Sequence, residues 1–272
     1  MSILNAIFLG IVQGITEFLP VSSSGHLVLM REVLGINLAE QAVIFDIILH
    51  IGTLISVVVF YWKDVLELFR GIFGIIGDIF KGRFSYEKDP AKRFVLMLII
   101  ATIPLFVAVL FESKLEKAFT SPMFVGCALL VTGVIIFFTD KIKNGTTDQS
   151  NTKYKSALVV GLIQLFAVLP GISRSGSTIF AGAAVGMKKS FAIKFSLLLS
   201  IIAIVGAAVI KIPAIDTAGV SLTACITGII VSAGTGILSI KFLVALLTKS
   251  KFKYIAYYCW AVGIFAIVSQ LV

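Results

Sequence analysis

The sequence predicts an all-α polytopic membrane protein, built as an inverted-topology repeat with six transmembrane helices plus two re-entrant helix pairs. Three observations predict it. Of the 272 residues, 58% are hydrophobic and only 14% charged, with a mean hydropathy of +1.07; a soluble domain carries about a quarter charged residues. The apolar residues come in long runs broken by Gly, Pro and short polar loops, without the period-two alternation of a membrane β-barrel, and backbone facing lipid must bond internally. An apolar run broken by a Pro-Ser-Gly loop also occurs once in each half. The chain reads as one membrane domain, 1–272, with repeat 1 at about 1–140, a linker at 141–155 and repeat 2 at about 156–272.

Residues 2–19 are apolar and helical, with Gln13, Thr16 and Glu17 near the end and Pro20 as the stop. Residues 26–36 form a second short apolar piece. Neither reaches the roughly 20 residues of a spanning helix. A re-entrant hairpin is therefore expected, its SSSG loop at depth and lined by protein or a wet cavity. Residues 42–61 make a full span with Asp46 and His50 one turn apart, which either line the cavity or, the favoured reading, pair within the bundle. Residues 63–89 contain the amphipathic VLELFRGIFGIIGDIF, expected to lie along the interface. Spans follow at about 92–111, kinkable at Pro104, and at 121–139; the polar run 140–155 is the linker.

The pattern then returns. Gly10, Gln13, Leu19, Pro20 and Gly25 match Gly161, Gln164, Leu169, Pro170 and Gly176, with one residue inserted in the second loop. Residues 156–169 and 177–187 form the second broken pair, and spans are expected at 190–210, 219–247 (bent by SAGTG at 232–236) and 253–272. Three spans per half is an odd number, so the second half runs inverted and the broken helices meet near the midplane. Gly10 with Gly14, and Gly182 with Gly186, are spaced for close helix packing.

The net charge is +9. In this topology seventeen basic residues fall on one side, and four (Arg31, Lys114, Lys117, Lys211) on the other; Arg174 and Lys241 lie within the membrane. The rich side is cytoplasmic and meets anionic headgroups, so no nucleic-acid partner is expected. The expected location is the cell (inner or plasma) membrane, multi-pass, with both termini outside and the first broken pair opening to the outer face. Cys127, Cys225 and Cys259 stand singly in apolar runs and read as packing residues. No basic n-region or small-residue cleavage site precedes the first apolar run, so no cleaved signal peptide is expected.

Chemistry is expected where polar groups interrupt the apolar runs. An ionised Glu17 is expensive at depth unless paired, hydrated or metal-bound. With Gln13 one turn away it offers two oxygens on one helical face to a hard divalent cation, Mg²⁺ or Ca²⁺; the alternative is a bond to Ser or His that holds the loop. Ser22, Ser23, Ser24 and Gly25 form an anion cradle ahead of a helix, or a plain cap. His26 stands within reach of a phosphate bound there and can move a proton near neutral pH; alone it reads equally as a core histidine. Arg174, flanked by Ser173, Ser175 and Gly176, suits bidentate phosphate binding. Its structural alternative is to pair with Glu17, and even that brings the two loops together. The chain has no Walker motif, dinucleotide fingerprint or nucleophile elbow.

The stretches QGITEFLPVSSSGH at 13–26 and PGISRSG at 170–176 resemble the two signatures of the undecaprenyl-diphosphate phosphatase family, also called bacitracin-resistance proteins. The hydrophobic profile and the duplication extend the resemblance over essentially the whole chain. It implies an integral membrane enzyme that hydrolyses a polyprenyl diphosphate to the lipid monophosphate and phosphate, recycling the cell-wall carrier. It also implies divalent-cation dependence and a site open to the outer face. Glu17, Ser23, His26 and Arg174 fall on the family's functional positions, and Gln13 where many members have a second glutamate. In the expected chemistry Ser23 attacks, His26 relays the proton, Glu17 with Gln13 holds the metal or polarises Ser23, and Arg174 with the loop N–H groups neutralises phosphoryl charge. Attack by water or by His26 stays open, as do the metal, the prenyl chain length and a homodimer. The rival reading is a polyprenyl-phosphate transporter or flippase, which needs Arg174 and the serines but no nucleophile.

Overall fold

Ser2 caps the first helix by accepting a hydrogen bond from the Asn5 amide at 3.1 Å, and α1 runs Ile3–Phe18. The computed structural model describes residues 2–34, 39–82, 89–111, 118, 121–211, 221–248 and 251–271. Arg83, Lys88, Lys114, Lys117 and Lys249 of the basic-residue count lie outside these, as do the last two residues of the piece expected at 26–36. Helix α2 is Ser23–Leu34 and starts earlier than residue 26. Ser22 explains the difference. Its Oγ accepts from Gly25 N at 3.4 Å and its carbonyl from His26 N at 3.1 Å, so the serines form a cap and a first turn.

Helices α3 (Ala39–Phe60) and α4 (Trp62–Phe80) meet at a 91° bend. Trp62, Leu66, Phe69, Phe73 and Phe80 are all exposed on α4. Their helical spacing makes one apolar face turned away from the bundle, as an interfacial helix requires. Asp89 caps α5 (Pro90–Thr102). At Pro104 the span tightens into a 3₁₀ turn, Ile103–Leu105, and continues as the short α6, Phe106–Val109. Helix α7 is Pro122–Lys141. The linker is pinned: Thr146 and Thr147 N–H donate to the Gly186 carbonyl, both at 3.1 Å, and Lys188 N–H donates to Thr147 O at 2.8 Å.

In the second half α8 is Tyr154–Phe166, α9 Arg174–Ala184, α10 Lys189–Lys211, α11 Leu222–Thr248 and α12 Phe252–Val268. Two expectations change. Residues 232–236 do not interrupt α11, which stays helical because its small residues serve packing: Ser232 Oγ donates to Leu49 O of α3 at 3.1 Å. The last helix ends in a turn after Val268, short of the expected 272. Among the described residues four helical stretches (90–108, 122–141, 189–210, 222–246) are long and apolar enough to cross a membrane, and α3 with α4 makes a bent pair of comparable length and apolarity. Helix α12, with 17 residues, is shorter than these four. The chain is an all-helical, multi-pass membrane protein.

Between helices in lipid, close backbone approach replaces the hydrophobic drive. α1 lies along α11, and α8 lies along α5. The matched glycines make both crossings: Gly10 faces the Gly228 carbonyl of α11, and Gly161 the Ala101 carbonyl of α5. A β-carbon on Gly14 would sit 2.7 Å from Ser232 O. Gly14→Leu is therefore expected to cost about 1–3 kcal/mol by overpacking, read as a lower thermal midpoint in detergent; an unchanged midpoint would refute the crossing. Gly182 packs closely, its added β-carbon 2.9 Å from Ala192 Cβ. Gly186 does not: a β-carbon there would meet nothing within 4 Å, and its φ is +89°, so it makes the left-handed turn after α9 instead of the expected helix contact.

Polar pairs gather at one face. Lys194 Nζ donates to Asp64 at 2.8 Å and to Gln149 Oε1 at 3.1 Å, Gln149 Nε2 to Glu67 at 3.0 Å, and Lys188 Nζ to Asp148 at 2.6 Å. These bonds put the starts of α4 and α10 and the linker together.

Candidate active site

Glu17 sits in the last turn of α1, 5% exposed. A carboxylate at that depth is tolerable only with partners, and four elements supply them. Gln13, one turn back on α1, donates Nε2 to Oε2 at 2.9 Å. Ser23, in the first turn of α2, donates Oγ to the same oxygen at 2.6 Å. His50 of α3 holds Nε2 3.5 Å from it. Arg174, the first residue of α9, donates Nη2 to Oε1.

The loops are built to bring these groups together. Ser173 caps α9, its Oγ accepting from Gly176 N at 3.1 Å. Its own N–H donates to Thr132 Oγ1 at 2.9 Å, and Thr132 donates to Gly171 O at 2.7 Å. Gly171, at φ +92°, turns the chain where α7 leaves no room for a side chain. The two loops also touch. A β-carbon on Gly25 would lie 3.0 Å from Gly171 Cα, and one on Gly176 3.1 Å from Pro20 Cβ.

Beside this cluster opens a cavity of about 350 Å³. Glu17, Ser22, Ser23, Ser24, Ser173 and Arg174 form its polar end, with His50 and Gln164. Thr16 and Thr102 also line it; the rest is apolar, supplied by Leu105 of the 3₁₀ turn, α6, α10 and the loop before α9, the composition of a ligand site.

The structure thus gathers Gln13, Glu17, Ser23 and Arg174, and puts Ser22, Ser24 and Ser173 at the cavity. It does not bring the others there. Gly25 and Gly176 are spent on loop contact, and Ser22 and Ser173 hydroxyls cap their N–H groups. Ser175 is buried, its Oγ 3.2 Å from Ser173 Oγ and 3.4 Å from Leu19 O. His26, expected at the phosphate, is also outside the lining residues. Its Nδ1 lies 2.8 Å from Ser22 O and its Nε2 2.9 Å from Tyr258 Oη, with the rings stacked. A carbonyl only accepts, so Nδ1 carries the proton and Tyr258 donates to Nε2. Both nitrogens are committed to tying the loop to α12.

His50 lies at the cavity, the less favoured of its two expected places. Asp46 pairs with Arg31, as part of the bundle pairing expected. His50 Nδ1 meets Asp46 O at 2.6 Å, which leaves Nε2 facing Glu17. The available signal was the rarity of histidine: the chain has two, both in apolar stretches.

Three buried polar atoms at or beside the cavity have no hydrogen-bond partner among the described residues: Gln13 Oε1, Gln164 Oε1 and Arg174 Nη1. The last is a spare donor for a phosphoryl oxygen. Among the described residues no group of three or more His, Cys, Asp or Glu could hold a metal. Glu17 with the orphaned Gln13 oxygen does fit a Mg²⁺- or Ca²⁺-like ion shared with a bound diphosphate, since Mg²⁺ needs only one or two carboxylates plus substrate phosphates.

Residues 6–265 match the family described as bacitracin resistance protein BacA. A relative from Methanosphaera stadtmanae named undecaprenyl-diphosphatase is 42% identical over 277 residues, covering all of this chain and 99% of the relative. One of the same name from Methanobrevibacter smithii is 43% identical over 276 residues, covering 100% and 99%. Another, from Halothermothrix orenii, is 40% identical over 272 residues, 98% of each chain. A match of this length takes in both broken helix pairs and every residue around Glu17, so the chain belongs to the bacitracin resistance protein BacA family.

Proposed function

We propose that this chain is an integral membrane phosphatase that hydrolyses undecaprenyl diphosphate to undecaprenyl phosphate and phosphate, recycling the cell-wall carrier lipid. One observation carries the reading. Ser23 Oγ donates to Glu17 at 2.6 Å while Arg174 holds the other carboxylate oxygen, at the polar end of an otherwise apolar cavity. That is an activated hydroxyl beside an anion-binding cation, in a chain whose full-length relatives bear this activity's name.

Ser23 Oγ attacks the terminal phosphorus and gives its proton to Glu17, the nearest base. The bond from phosphorus to the bridging oxygen breaks, and the lipid monophosphate leaves. Arg174 turns its donors from Glu17 to the phosphoryl oxygens as charge develops there. Glu17 passes that proton to the departing monophosphate, then takes one from the attacking water and returns it to Ser23 Oγ as the phosphoserine P–O bond breaks and phosphate is released. His26 holds the serine turn in place and transfers no proton itself. A divalent cation held by Glu17 and Gln13 would withdraw charge from the phosphate oxygens.

The basic bias supports the finer topology. The two broken pairs belong to inverted repeats at 1–140 and 156–272, both termini lie outside, and the site faces the outer leaflet. The reciprocal packing of α1 on α11 and α8 on α5 supports the same repeat. In detergent, the purified protein is expected to release phosphate from undecaprenyl diphosphate. A chelator should cut release at least about tenfold, with Mg²⁺ or Ca²⁺ restoring it. No release overturns the activity; release indifferent to chelator overturns only the metal.

A further inference from the structure

His50 is the one ionisable side chain at the polar end of the cavity that the chemistry above leaves without a task. Its ring is held in place. The Asp46 carbonyl, 2.6 Å from Nδ1, only accepts, so Nδ1 carries a proton and Nε2 is the atom turned to Glu17 Oε2, 3.5 Å away. Helix α3 is itself fixed on either side of the ring. Ser232 of α11 donates to Leu49 O at 3.1 Å, and a β-carbon on Gly52 would lie 2.5 Å from Ile229 O. A ring nitrogen with a lone pair and a carboxylate oxygen attract only through a shared cation, either a proton or a metal ion. Spacing separates the two. A proton shared between a ring nitrogen and a carboxylate gives about 2.7–2.9 Å. Two donors about 2.1 Å from one ion lie roughly 3.0–3.4 Å apart, from octahedral to tetrahedral geometry. The observed 3.5 Å stands close to the second value and well beyond the first.

The surroundings suit an ion. A histidine that binds metal characteristically donates its other ring N–H to a backbone carbonyl or carboxylate, which fixes tautomer and orientation; the Nδ1 bond to Asp46 O is that arrangement. Gln13 donates Nε2 to the same Oε2 at 2.9 Å, and its Oε1 is buried without a hydrogen-bond partner among the described residues. Arg174 bonds the other carboxylate oxygen, Oε1, so the two cations would divide Glu17 between them. We propose that His50 Nε2 is a ligand of the divalent cation, beside Glu17 and Gln13, and that its nitrogen turns the site toward a first-row transition ion over Mg²⁺ and Ca²⁺. Those two are taken by oxygen donors, whereas a mixed nitrogen and oxygen set binds the transition ions more tightly, Mn²⁺ least among them. The inference deepens the divalent-cation step of the phosphatase reading and rests on it.

Mn²⁺ alone, added to the tag-free protein in detergent, tests this without turnover. The chain has two histidines, so imidazole nitrogen coupling in the electron-spin-echo spectrum of the bound ion has only two sources. Coupling is expected in wild type and in His26→Gln, and lost in His50→Gln. Mn²⁺ affinity should fall at least about tenfold in His50→Gln, while Ca²⁺ affinity, carried by oxygens, stays near wild type. Wild type labelled with ¹⁵N only at histidine, set beside His26→Gln, decides the matter should His50→Gln fail to fold. The ligand is overturned if Mn²⁺ does not bind, if wild type shows no coupling, or if coupling survives in His50→Gln. An equal loss of Mn²⁺ and Ca²⁺ affinity overturns it too, since His50 would then only be pairing with Glu17. Phosphate release without nitrogen coupling sinks the ligand alone; nitrogen-coupled Mn²⁺ on a wild type that releases no phosphate from undecaprenyl diphosphate sinks the phosphatase reading alone.

Discussion

Arg174→Ala is expected to lower kcat by at least about 100- to 1,000-fold and to destabilise the protein at the same time. The catalytic loss follows from removing the one cation placed to meet charge on the phosphoryl oxygens, a contribution of this size in comparable oxyanion sites. The stability loss has a separate origin. Glu17 is buried and Arg174 bonds one of its two oxygens; breaking a buried pair by removing one partner costs about 3–5 kcal/mol. The two effects separate with further variants. Arg174→Lys restores charge but not the planar fork, so the thermal midpoint should recover further than kcat. Adding Glu17→Gln to Arg174→Ala removes the stranded charge, so stability should return while activity stays lost. Wild-type-like turnover in Arg174→Ala would remove the basis for the phosphate site.

The Glu17–Arg174 contact was readable from sequence because charge in an apolar run admits few solutions. Two unlike charges, each on a broken helix, had to meet or face water. The i, i+4 spacing of Gln13 and Glu17 was equally direct, since helical geometry alone puts them on one face. The histidines show where such reading stops. Sequence placed both at membrane depth, but which way each ring turns depends on the exact start of α2 and on Tyr258, far along the chain. Because α2 begins at Ser23, His26 falls in its first turn and bonds back to Ser22. His50 turns Nε2 to the site because its Nδ1 is held by the Asp46 backbone carbonyl. Glycine roles divided in the same way. Gly14 was recoverable from spacing, whereas Gly186 shares that spacing and serves a turn, because what decides is the backbone angle and whether anything faces the β-carbon position. The bend of 91° at Tyr61 has no proline or glycine to announce it.

Ser23→Ala should reduce kcat by at least about 1,000-fold, the scale expected when a nucleophile is lost and only binding and charge stabilisation remain. Ser22 and Ser24 are the internal controls, because the three hydroxyls share the cavity and differ in partner. Ser23 alone donates to Glu17; Ser22 Oγ caps Gly25 N, and Ser24 Oγ lies 3.4 Å from Ser22 Oγ. Ser24→Ala is therefore expected to keep most of the activity, and Ser22→Ala to lose some through a looser turn. Losing the Ser23 bond removes one of several donors to a carboxylate, a cost of about 1.5–3 kcal/mol, so the Ser23→Ala protein should melt earlier but remain folded. Rapid acid quenching of wild type during turnover should trap phosphate on the 23–25 peptide. If no phosphoserine accumulates and Ser23→Ala still turns over at a tenth of the wild-type rate, then Glu17 activates water directly and Ser23 only orients it. The same hydrogen bond serves both routes, so trapping and rate must be read together.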